Sequence, residues 1–179
     1  MLFSTPKFLL ALFATTAATS ASVIEPRAET HNVKLVNRCG SGTPVFLYQG
    51  HGQRGGGTIN GALQGGIAWL DGYKNCQSSG VNCGVVEFTL INKNHKAPNG
   101  FSYQNSADYS LLDGPGLGNH KYQYKMDFAF NGAGCNKGPG ACTGNSAAQC
   151  PGAYLGSATT GGAPTQCEAD NVGITITFC

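Results

Sequence analysis

The sequence predicts one all-β domain, rich in turns and held by cross-links, and three observations lead there. Glycine supplies 27 of 179 residues and only 11% of residues are charged, whereas average soluble domains have about 7% glycine and about 25% charged residues. Short apolar runs with period-two alternation recur between glycine turns. Eight cysteines follow a segment that reads as an export signal, which places them in an oxidising compartment. The same composition excludes a coiled coil, which needs periodic Glu/Lys/Arg-rich stretches. With 41% hydrophobic residues it also excludes intrinsic disorder. A formal charge of +2 argues for neither nucleic acid nor an anionic membrane as partner.

The chain opens on that signal. Lys7 is the positive start, Phe8 to Phe13 the apolar stretch, and small residues run from Ala14 to Ala21, with a cut expected after Ala18 or Ala21. The apolar run is shorter than the roughly 20 residues of a membrane span. Residues 22–27 are read either as a propeptide removed after Arg27, leaving Ala28 first, or as a loose tail. Residues 1–27 take Lys7, Arg27 and Glu25 with them, so the remaining domain, 28–179, stays close to neutral.

Within that domain Val33–Asn37 reads as a first strand, followed by a short buried strand at Val45–Tyr48. Gly50–Gly57 reads as a flexible or sharply turning connection. Ile67–Leu70 is short and apolar and contains the single tryptophan, Trp69. Val85–Leu90 alternates in part, with Glu87 and Thr89 on the side of Val85, and Tyr109–Leu112 continues the pattern. The clearest alternation puts Tyr122, Tyr124, Met126, Phe128 and Phe130 on one side, as expected of a core face, and leaves Asp127 toward solvent. Val172–Phe178 closes the series. Many short strands with turns between them indicate a β-sandwich or barrel. Asn131–Thr165, rich in Gly, Ala, Pro and Thr, has no sustained period and reads as a loop region that depends on disulfides for order.

Eight cysteines permit up to four disulfides. No pair has the close spacing of a zinc site, and no N-x-[ST] glycosylation signal occurs. His51, His95 and His120 stand in Gly/Asn-rich segments where a solvated ring is the expectation. His31 would be third in a chain trimmed to Glu29, an amine-X-X-His arrangement that chelates copper, but this needs an unproven cut and no metal site is assigned. No serine-hydrolase elbow or Cys/His pair is present, and Gly55–Gly57 lacks the Lys-Ser/Thr of a phosphate loop. No cofactor is expected.

Val36-Asn37-Arg38-Cys39 near the start and Ile176-Thr177-Phe178-Cys179 at the end resemble the two ends of thaumatin-like (osmotin-like) proteins. Between them, in family order, stand Trp69 ahead of Cys76, Glu87-Phe88-Thr89-Leu90, Asp108-Tyr109-Ser110, Asp113-Gly114, Met126-Asp127-Phe128 and Cys150-Pro151. The resemblance runs in patches from Val33 to Cys179 and is nearest to the small secreted fungal branch. It implies a thaumatin-like β-sandwich with a short disulfide-stapled loop region, truncated relative to large members, which carry 16 cysteines and a long second domain. It also implies pairing of Cys39 with Cys179, Cys76 with Cys83 and Cys135 with Cys167. Cys142 and Cys150 lack their family partners and are expected to pair with each other.

By the same resemblance Glu87, Asp108 and Asp113 match positions lining an acidic cleft, with Arg54 as the nearest available arginine on a loose alignment. The implied ligand is cell-wall β-1,3-glucan, bound or slowly hydrolysed. Glycosidases need one protonated and one ionised carboxyl across the scissile bond. The apolar strand around Glu87 would raise its proton affinity, making it the acid and Asp108 the base or charge stabiliser. The plain reading of the same residues is a solvent-facing strand position for Glu87 and turn-forming roles for Asp108 and Asp113. A different class of function is a secreted antimicrobial, inhibitor or host-directed protein without enzymatic activity, whose partner is a host or competitor protein and whose fold is only a resistant platform. A monomer is expected in either case.

Overall fold

In the computed structural model, residues 28–93, 104–156, 158–159 and 163–179 are described. The export signal, the 22–27 segment and His95 lie outside them. The strands are β1 (Thr30–Asn37), β2 (Thr43–Tyr48), β3 (His51–Arg54), β4 (Gly57–Asn60), β5 (Leu63–Asp71), β6 (Val85–Leu90), β7 (Asn105–Ser110), β8 (Asp113–Gly114), β9 (Gly118–Asn119), β10 (Met126–Asn131), β11 (Ala153–Leu155), β12 (Ala158–Thr159), β13 (Thr165–Cys167) and β14 (Gly173–Phe178). The described residues contain no α-helix, only a 3-10 turn at Ser78–Gly80.

The smaller of two main sheets has the order β10-β14-β1-β4, and the larger runs β12-β11-β7-β6-β5-β2-β3 with β13 also on β7. The chain is thus all-β, and its two main sheets share one core in the manner of a β-sandwich. Alternation decides which side chains enter that core. Phe128 of β10, Ile176 of β14 and Leu35 of β1 are register partners, as are Phe130, Ile174 and Val33. Opposite them stand Phe46, Ala68, Val86 and Tyr109, aligned across β2, β5, β6 and β7. Tyr109 and Phe128 meet between the sheets with ring centroids 4.9 Å apart. The expected aromatic stripe is core: Tyr124, Met126, Phe128 and Phe130 are buried while Asp127 is exposed. Tyr122 and Tyr124 precede the strand, and only β10 itself joins the ladder.

Four disulfides join Cys39 to Cys179, Cys76 to Cys83 and Cys135 to Cys167, the pairs implied by the resemblance, and Cys142 to Cys150, the two cysteines left without family partners. The first follows from topology. β1 and β14 run parallel with Asn37 beside Phe178, so the two cysteines leave neighbouring strand ends with Cα atoms 5.1 Å apart.

Two segments read as connections form strands. The Gly50–Gly57 stretch supplies β3, the exposed edge of the larger sheet, and the loop region supplies β11 and β12, with β13 starting at its last residue. All are short and pair through backbone groups along an existing edge, which requires no apolar alternation. The strand expected at Tyr109–Leu112 is centred earlier, at β7, so Asp108 lies inside a strand rather than at its flank.

Among the described residues no helix is long and apolar enough to cross a membrane.

Candidate functional site

The outer face of the larger sheet is set by the parity that builds the core. Because Val86, Phe88 and Tyr109 point inward, Glu87 and Asp108 point outward, and the β6–β7 register makes them direct partners. Ile67 of β5 is the next residue in the row. A groove of about 240 Å³ lies along this row, lined by Gly66, Ile67, Glu87, Thr89, Ser106 and Asp108 among others. Gly66 is required there on the inner side: a Cβ would run into the Phe88 ring at 2.8 Å.

The two carboxyl groups differ in exposure. Glu87 is half-buried, whereas Asp108 is 9% exposed. Asp108 has β6 on one side. On the other it stands where the neighbouring strand changes, β13 pairing Asn105 to Ala107 and β11 pairing Tyr109 and Ser110. Its Oδ2 has no hydrogen-bond partner among the described residues, nor has the Oγ of fully buried Ser110, two positions along on the same face. Burial, reinforced by the Glu87 charge, raises the Asp108 carboxyl to about 8. Burial in a place that offers Oδ2 no donor favours the protonated carboxyl. Tertiary cover, not the apolar character of the strand, sets this proton affinity.

Tyr154 of β11 is a residue that sequence reasoning did not single out. It is the register partner of Ser110 on the same outer face. Burial and then the Asp108 and Glu87 charges raise its phenol. The signal that finds it is the strand pairing, which no local pattern announces.

The remaining expected site residues lie elsewhere. Asp113 begins the β8–β9 hairpin, pairs with Lys121 at 3.5 Å and lines a different hollow. The resemblance puts Asp113 in one cleft with Asp108, but the chain leaves the sheet after Ser110 and Asp113 lines the other hollow. Arg54 is the register partner of Phe46, an inward-facing residue, and its guanidinium lies 5.8 Å from that ring. It therefore serves the face opposite Glu87, as a cation–π cap.

The histidines are placed by packing. His31 is fully buried, with Nδ1 2.7 Å from the Val172 carbonyl and Nε2 3.0 Å from Glu29 Oε1. Both nitrogens are occupied, which overturns the copper-chelate reading. His51 stacks on Tyr48 with centroids 4.1 Å apart. His120 is not simply solvated, since Nδ1 lies 3.0 Å from the Gly80 carbonyl. Among the described residues no group of three His, Cys, Asp or Glu is arranged to hold a metal ion.

Compared with known protein families and with curated proteins, the chain finds no match.

Proposed function

We propose that the protein is a secreted, monomeric, thaumatin-like β-sandwich comprising residues 28–179, and that it binds cell-wall β-1,3-glucan along the Glu87–Asp108 groove and hydrolyses it slowly. The observation that carries this reading is the pairing of Glu87 with Asp108, whose carboxyl burial raises, along one groove of the larger sheet. Cross-strand partners hold their Cβ atoms about 4.5–5.5 Å apart. Neighbouring carboxyl groups on such a pair fall within reach of the roughly 5–5.5 Å separation of retaining glycosidases, the course proposed here. In the proposed reaction Asp108 protonates the leaving glycosidic oxygen. Glu87 attacks the anomeric carbon, and water then releases the sugar with Asp108 acting as base.

The test is laminarin binding and reducing-sugar release by the wild type, D108N and E87Q. Release lost in both variants with binding retained supports the mechanism. Release unchanged in E87Q defeats it.

A second reading has its own observation. Of the four residues expected to converge, Arg54 and Asp113 stand outside the groove. A face with two carboxyl groups and no cation favours binding without turnover, and with it the non-enzymatic class of antimicrobial, inhibitor or host-directed proteins. Glucan capture without sugar release assigns a lectin-like module, and neither result assigns the protein-partner class.

A further inference from the structure

Asp113, His120 and Lys121 line a second hollow of about 510 Å³, with no lining residue in common with the Glu87–Asp108 groove. Small-ligand sites typically measure about 300–1,000 Å³ and combine an apolar wall with a few convergent polar groups. Here Leu111, Leu155 and Tyr122 supply the wall. The charges come from Asp113 Oδ2 and Lys121 Nζ, 3.5 Å apart on side chains that are 45% and 51% exposed.

His120 is fixed from behind. Its Nδ1 lies 3.0 Å from the Gly80 carbonyl and 3.3 Å from that of Cys83. A carbonyl only accepts, so Nδ1 carries the hydrogen and Nε2 of the neutral ring is the acceptor. Gly80 and Cys83 belong to the loop closed by the Cys76–Cys83 disulfide, and Gly80 has φ +73°, where a Cβ would also strike the Val85 side chain. The imidazole is thus oriented by a rigid support before any ligand arrives.

We propose that this hollow is a binding site for a free α-amino acid with a large apolar side chain. The ammonium group sits on Asp113 and His120 Nε2, the carboxylate on Lys121, and the side chain against Leu111, Leu155 and Tyr122. Spacing selects this class. In an α-amino acid the ammonium nitrogen and the carboxyl carbon share one Cα and lie about 2.5 Å apart. The two adjacent ligand charges therefore match two opposite charges that stand side by side in the hollow, already near enough to pair with each other. Peptide termini are separated by a further 3.3–3.6 Å or so per residue when extended and do not match. A neutral sugar has no charge to offer Lys121. Opening the Asp113–Lys121 pair costs little, since exposed ion pairs are worth about 0–1 kcal/mol. The ligand replaces that one pair with two, one to each group, and adds a hydrogen bond to His120. This proposal is independent of the glucan reading, which concerns the other groove.

The experiment titrates the purified protein with L-phenylalanine, 3-phenylpropionate, phenethylamine and laminaribiose, following backbone and His120 ring signals by NMR. Saturable shifts at His120 and Tyr122 are expected with L-phenylalanine. Binding should weaken about tenfold or more for each analogue lacking one charge, and equally for K121Q and D113N, since each loses a hydrogen bond to a charged group. E87Q should bind as the wild type does. The amide spectra of the variants report that they are folded. No saturable shift with L-phenylalanine, equal binding of the single-charge analogues, or the same signals moved more strongly by laminaribiose would each overturn the assignment.

Discussion

Glu87 of β6 and Asp108 of β7 are partners across an antiparallel ladder on the outward face of the larger sheet, yet only Asp108 is shut away from water. Its carboxyl is raised to about 8 by that burial and by the Glu87 charge. Two carboxyl groups in contact with such different surroundings take different protonation states, the arrangement that acid–base chemistry on a glycoside requires.

Turnover of laminarin, if Asp108 is its acid, should fall as pH rises through about 8. D108N should lose about 10²- to 10⁴-fold in rate, the usual contribution of a general acid. A pH–rate profile of reducing-sugar release checks this. A rate still climbing above that pH removes Asp108 from the mechanism.

Folding stability should carry the same signature. The folded-state value of Asp108 lies above its ordinary 3.8, so the folded protein holds this proton more tightly than the unfolded chain. The contribution is complete below about 3.8, declines as pH rises, and is gone beyond about 8. Wild type should therefore lose stability relative to D108N across that interval, by at most about 1.4 kcal/mol per pH unit. Urea denaturation of both proteins on either side of it measures the difference. A constant difference contradicts the burial argument.

Disulfide removal should be graded by loop length. Cys39–Cys179 spans 140 residues and Cys76–Cys83 spans 7. Chain-entropy arithmetic assigns them about 5 and about 2.5 kcal/mol. The C39S/C179S and C76S/C83S double variants, compared by thermal and urea unfolding, should fall in that order.

Tyr109 ties the sheets to the disulfide-rich segment. Its hydroxyl donates to the Gly140 carbonyl at 2.8 Å and accepts from the Phe128 amide at 3.3 Å. Y109F keeps the ring but strands both backbone groups, so about 1–3 kcal/mol of stability should be lost. Denaturation midpoints would show it. A neutral outcome would mean that water satisfies those groups.

Much of the core was legible because alternation is a local signal. Met126, Phe128 and Phe130 recur at every second position, as do Ile174, Ile176 and Phe178, and those positions face inward. The short strands β3, β11, β12 and β13 were not legible: they are made by backbone pairing along an edge, and their side chains carry no period. Glu87 and Asp108 could be named from the resemblance, but their pairing across the ladder, and the separation of Asp113 and Arg54 from their groove, depends on register and on where the chain leaves the sheet.

The sequence by itself determined an all-β, disulfide-linked chain, because period-two patterning, glycine turns and an even set of cysteines are properties of neighbouring residues and of composition. Only the tertiary structure decided which carboxyl holds a proton. In the sequence Glu87 reads as a strand carboxyl and Asp108 as one at a strand's flank, and neither reading tells how much water each keeps. Proton affinity follows from how much water remains around a group, and Asp108 stands among β6, β11 and β13, of which β11 comes from the region with the least local pattern.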